Sequence, residues 1–253
     1  MPQRPSTEPF YSSSSSSDTG VLFVHGFTGS PASLREWAER TAAAGHRVSL
    51  PRLPGHGTRW QDLAGTTWQD WYATVDAELT GLRAHSERVF VAGLSMGGAL
   101  ALMLAQRRPD DVAGLALVNP ALTAANPLLP FAGALKYLVR STKGISNDAV
   151  REIDEGAYER TPTAAAAQLA ALWGAVRPYL DLVQCPLLIF RSAEDHVVPP
   201  SSVAIIRRQV SSLDVTEHVL TRSYHVATMD HDAGFIVDTT LEFFARAGDE
   251  ASG

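Results

Sequence analysis

The chain has 253 residues, 45% of them hydrophobic and 19% charged, which suits one globular α/β domain. Its net charge of -6 argues against nucleic acid as a partner, because the arginine pairs Arg107-Arg108 and Arg207-Arg208 stand apart and form no basic face. The single cysteine, Cys185, rules out an intramolecular disulfide, and neither a signal pattern nor a bilayer-length apolar run is present, so a cytoplasmic protein without a transmembrane segment is expected.

Residues 1–19 hold Pro, Glu and the run Ser12 to Ser17, too polar to order themselves, and are expected to be a disordered tail outside the fold. Val21 to Val24 then form a continuous apolar run, the mark of a strand buried on both faces. Ser30 and Pro31 read as the cap and first residue of a helix that Gly45 closes. Val48 to Leu50 make the next strand. Thr67 opens a helix whose Trp68, Trp71, Tyr72, Val75, Leu79 and Leu82 repeat at three and four, a spacing that means core packing. Val89 to Ala92 run into Gly93-Leu94-Ser95-Met96-Gly97-Gly98 and an Ala/Leu-rich helix. Leu115 to Val118 and Leu187 to Phe190 are further buried strands. Val215 to Leu220 alternate as an edge strand does, and Phe235 to Phe244 lie on a closing helix.

Apolar strands separated by helices predict a mostly parallel sheet covered on both faces. The rhythm breaks between residues 121 and 160, a stretch too long for an ordinary connection. It reads as a small cap inserted into a core made of 20–120 and 161–248.

Gly93-x-Ser95-x-Gly97 is a nucleophile-elbow pattern. Alone it arises by chance in roughly one chain in ten of this length, so the preceding strand and following helix carry its weight. A serine hydroxyl needs a neighbouring base, and the base needs an orienting acid. Of the eight histidines, His225 follows the last strand and is the expected base, with His231 as the other candidate. His46, His85 and His218 read as surface residues, and His25 as a loop brace. Glu194 and Asp195 both leave the sheet after the fifth strand; Asp195 is favoured, since Val197, Val198 and Pro199 can bury it. The chain order Ser, Asp, His is that of α/β hydrolases. Backbone N–H groups of Met96 and Phe27 are placed to stabilise an oxyanion. No metal site suggests itself, no dinucleotide fingerprint follows a strand, and this chemistry needs no cofactor.

The stretches Val21 to Pro31, Leu50 to Thr58, Gly93 to Gly98, Asp195 to Pro200 and Ser223 to Thr228 span nearly the whole folded chain. On them the chain resembles small bacterial carboxylesterases of the α/β-hydrolase fold and, more narrowly, the bacterial monoacylglycerol lipases. The resemblance implies a Ser95, Asp195, His225 triad, oxyanion donors at Phe27 and Met96, and a small cap shaping an acyl tunnel. It also implies a cap glutamate that holds glycerol hydroxyls, and Glu155 matches that position; a solvated cap residue is the other reading. The expected reaction is hydrolysis of a lipid or small-molecule ester, monoacylglycerol first. A broad carboxylesterase, an acyltransferase and a non-hydrolytic ligand-binding protein of the same fold stay open as alternatives. Oligomeric state is not readable.

Overall fold

The computed structural model describes residues 6–13, 18–125, 132–135, 139–144 and 147–249. A seven-stranded sheet forms its centre, in the order β1-β3-β2-β4-β5-β8-β9. The strands are β1 (Phe10–Ser12), β2 (Thr19–Val24), β3 (Arg47–Leu50), β4 (Arg88–Leu94), β5 (Gly114–Val118), β8 (Leu187–Ser192) and β9 (Val215–Leu220). All neighbours pair in parallel except β1, which runs antiparallel to β3. A separate two-stranded sheet pairs β6 (Ser141–Lys143) with β7 (Arg160–Pro162).

The continuous apolar strands send alternate side chains to opposite faces. Leu22, Val24, Val89, Val91, Leu115 and Ile189 pack beneath α3 (Trp68–Arg83), α4 (Met96–Arg107) and α6 (Thr163–Val176). Val21, Phe23, Phe90, Ala92, Val118 and Phe190 face α1 (Arg35–Ala43) and α8 (Ala233–Asp249). Both faces are dry, so every central strand can be apolar throughout. The remaining helices are α2 (Trp60–Leu63), α5 (Ala132–Leu135) and α7 (Ser201–Gln209). Among the described residues no helix is long and apolar enough to cross a membrane.

Local signals hold where they were read. Ser30 caps a 3-10 turn at Pro31–Leu34 that leads into α1, and Gly45 follows with φ +95°. Thr67 and Asp70 form a reciprocal capping box at the start of α3. Cys185 is partly buried against the core, and burial pushes its thiol up to about 12.

The expected tail at 1–19 is corrected in part. Phe10–Ser12 join the sheet as β1, and Thr19 already belongs to β2. Long-range ties hold this short strand: Arg35 donates to the Glu8 carbonyl and stacks on Phe10, and Arg52 pairs with the Glu8 carboxylate at 2.8 Å. Residues 1–5 and 14–17 of that tail lie outside the described residues, as do 126–131, 136–138 and 145–146 of the expected cap. The boundary expected at 160/161 falls inside β7. His46 and His218 are half-buried rather than exposed, because His46 meets Phe244 edge-on and His218 stacks on Phe190.

Candidate active site

Chain order turns back at the middle of the sheet: β2 leads outward to β3, and the chain then returns to β4 on the other side of β2. Crevices at such a reversal, at the carboxyl ends of the strands, are the natural ligand sites of open α/β sheets. Ser95 follows the last residue of β4 at that place, with φ 56° and ψ -115°, a conformation strained for any residue with a Cβ. The glycines make the turn possible. A Cβ on Gly97 would sit 1.9 Å from the Val24 carbonyl oxygen, and one on Gly93 would sit 2.6 Å from the Gly97 backbone. Ser95 N–H donates to the Val118 carbonyl at 3.0 Å, and the Ser95 carbonyl accepts from Gly98 and Ala121. The nucleophile candidate is thus pinned through its backbone while its side chain opens into a cavity.

The loop after β2 lies against it: a Cβ on Gly26 would be 3.5 Å from the Ser95 Cβ. His25 is fully buried beneath this loop. Its Nε2 accepts from Leu53 N–H at 3.2 Å while Nδ1 lies 3.0 Å from the Gly26 carbonyl, so a neutral ring satisfies both contacts. Burial lowers its pKa to about 4, which keeps the brace neutral. Met96 is the first residue of α4, and helix starts leave N–H groups without intrahelical partners.

His225 Nδ1 lies 2.8 Å from Asp195 Oδ2. Asp195 Oδ1 accepts from Val197 and Val198 N–H at 2.8 and 2.7 Å. Burial pushes the Asp195 carboxyl up, but the His225 hydrogen bond and charge and the two N–H donors outweigh it and hold the group below its ordinary range. Glu194 points elsewhere; it is exposed and pairs with His196. His231 is exposed. Among the described residues Ser95 Oγ makes no hydrogen bond to the His225 ring, although both side chains line one cavity of about 430 Å³. Such contacts commonly close only when substrate is bound.

That cavity is mainly apolar, with Phe27, Leu169, Trp173 and Val197 on its walls. Glu155 also lines it, and is 8% exposed, which sets aside a solvated surface role. Its Oε1 accepts from Asn147 N–H at 2.7 Å, and Asn147 Oδ1 accepts from Glu155 N–H at 3.2 Å. Burial raises the Glu155 pKa despite that bond.

Sequence reasoning missed three supports of His225. Asn119, just past β5, donates Nδ2–H to the His225 carbonyl at 2.8 Å and ties into Ser192. Asp148 accepts from the His225 N–H. Asp230, 1% exposed, accepts from the N–H groups of Val150, Arg151, Tyr224 and His231. The one local signal was Asn119 before Pro120, a polar residue at a strand end where a turn must form. Among the described residues no group of His, Cys, Asp and Glu could hold a metal ion.

The family model of the S33 serine aminopeptidases matches residues 15–232. The chain belongs to that family. Several proteins similar to this chain are ester hydrolases by name. A thermostable monoacylglycerol lipase of Bacillus sp. (strain H-257) is 44% identical over 94% of both chains. A Bacillus subtilis carboxylesterase is 26% identical over 90% of this chain and 93% of its own. One solved structure of a metagenome-derived lipolytic enzyme superposes with TM-score 0.92 at 39% identity, covering 96% of this chain and 98% of that one. The monoacylglycerol lipase of Paleococcus ferrophilus shares the α/β-hydrolase fold at TM-score 0.79 and 18% identity, over 95% of this chain and 99% of that one. The family member described here is therefore a serine hydrolase of α/β-hydrolase fold, as the sequence led us to expect.

Proposed function

We propose that this hydrolase cleaves monoacylglycerols to fatty acid and glycerol through an acyl-enzyme on Ser95. The observation that carries the reading is His225, held by Asp195 at 2.8 Å, lining one apolar cavity with Ser95 and Glu155. Ser95 Oγ attacks the ester carbonyl as His225 Nε2 takes its proton, while Asp195 holds Nδ1 and stabilises the ring once charged. The negative charge that develops on the carbonyl oxygen meets the N–H groups of Phe27 and Met96. His225 then protonates the departing glycerol oxygen, and water repeats the sequence on the acyl-enzyme. Residues 121–160 act as the cap; Glu155, with one oxygen committed to Asn147 N–H, offers the other to the glycerol hydroxyls. The apolar wall takes the acyl chain.

A side-by-side assay of 1-lauroylglycerol and methyl laurate tests this. Ser95→Ala is expected to lose on the order of a million-fold in kcat; substantial turnover in a clean preparation would show another nucleophile. Glu155→Ala is expected to lose more on the glycerol ester than on the methyl ester. Equal losses would leave a broad carboxylesterase in place of a monoacylglycerol lipase. Labelling of Ser95 by a fluorophosphonate without turnover of either ester would point to a binding protein.

A further inference from the structure

The acid and the base of the triad sit on different loops, one after β8 and one after β9. What fixes one loop against the other decides whether the ring stands correctly. Asp148 touches both. Its Oδ2 accepts from His225 N–H at 3.3 Å and from His196 N–H, next to Asp195, at 3.2 Å. Its Oδ1 lies 2.8 Å from His196 Nδ1, and its backbone carbonyl accepts from Val226 N–H at 2.9 Å. The side chain is largely buried at the cavity wall. Asp148 belongs to neither loop: it comes from the stretch between β6 and β7, which also carries Glu155.

We propose that Asp148 is a positioning residue, a carboxylate from the stretch between β6 and β7 that bridges the Asp195 loop and the His225 loop and so keeps the imidazole in line with its acid. This rests on the triad reading above. The peptide groups around His225 are held on two sides: Asn119 fastens the carbonyl to the sheet, and Asp148 fastens the N–H to the segment that binds substrate. Removing the Asp148 side chain leaves the Asn119 bond and the Val226 N–H bond intact, so the loop keeps its course. What is lost is the carboxylate that joins the His225 N–H to the His196 N–H beside Asp195. A small misplacement of the ring harms proton transfer far more than it harms binding.

The test uses the whole chain and two esters of one acid, 1-lauroylglycerol and 4-nitrophenyl laurate. Glycerol leaves as a poor alkoxide and needs a proton from His225; nitrophenolate leaves without one. Asp148→Ala is expected to lower kcat/KM on lauroylglycerol roughly ten- to a hundredfold, through kcat with little change in KM, and to lower it less on the nitrophenyl ester. Asp148→Asn, which keeps an oxygen for the His225 and His196 N–H groups, is expected to recover most of the loss. If Asp148→Ala fails to fold, Asp148→Ser, too short to span both donors, takes its place with the same expectations. Unchanged rates in a folded variant overturn the proposal. So do equal losses on both esters, which mark a merely structural tie, and an Asn variant no better than the Ala one. Ser95→Ala and His225→Ala run beside them: retained activity there would sink the triad reading itself, whereas their loss with unimpaired Asp148 variants sinks this inference alone.

Discussion

Asp195 and Glu155 are both largely buried near His225, and their protonation shifts run in opposite directions. Asp195 is held below its unfolded value of 3.8, so its contribution to stability is complete above that pH and is lost as pH falls through the lower folded value. Glu155 is pushed above its unfolded value of 4.5 by burial, so its ionisation opposes folding. That penalty is absent below 4.5, grows as pH rises through the folded value, and is constant above it. Glu155→Gln keeps an oxygen for Asn147 N–H and removes the charge. It is expected to raise Tm by a few degrees in mildly alkaline buffer, with the gain vanishing toward pH 4.5. A thermal unfolding series over pH checks this; a gain independent of pH would mean that charge at Glu155 carries no penalty. Such a penalty is what a binding group costs when it is held dehydrated for a polar ligand. At this scale the sequence reveals residues whose reason is local. Ser95 is legible because its glycines and flanking strand sit beside it. Glu194 and Asp195 differ by one position, and only the buried turn at Val197 and Val198 separates them. Asn119, Asp148 and Asp230 each act on groups far along the chain, and apart from Asn119 standing before Pro120 no local pattern marks such contacts.

The elbow between β4 and α4 is the element on which the site turns. Gly97 packs against the carbonyl of Val24 so closely that a methyl group there would overlap backbone rather than a movable side chain. Gly97→Ala is therefore expected to destabilise by about 3 kcal/mol or more, and to lose activity in whatever fraction folds. Chemical denaturation and the assay above read both, and a variant within half a kcal/mol of the parent would mean that the helix start moves freely. The core elements were legible because burial on both faces writes continuous apolar runs, and because helix starts carry caps such as Thr67 with Asp70. The short strands β1, β6 and β7 were not. Each has three residues, too few for a period to emerge, and pairing partners distant in sequence hold them. Phe10-Tyr11-Ser12 stands in a serine-rich stretch whose composition hides it, while Arg35, Arg52 and Glu78 secure it from elsewhere.

For the molecule as a whole, the doubly covered parallel sheet followed from the alternation of strand and helix patterns. The reversal at β2 and β4 did not, because strand order depends on pairing that apolar runs leave open. That reversal joins the loops after β2 and β4 into one crevice, to which the loops after β8 and β9 add Asp195 and His225, the proposed acid and base. The cavity is then lined from the loops after β2, β4, β5, β8 and β9, together with the stretch between β6 and β7 that carries Asp148 and Glu155. If Glu155 binds substrate and Asp148 aligns His225 as proposed, binding and alignment are coupled, because both ride on the same stretch of chain.

The chain's lone thiol offers a practical handle on that stretch. Cys185, partly buried and with its thiol pushed up to about 12, is expected to react slowly with maleimides near neutrality. A cysteine introduced on an exposed position beside Asp148 would thus be the sole labelling site in an otherwise native background. A fluorophore there would report on the surroundings of Asp148 without any wild-type residue having to be removed first.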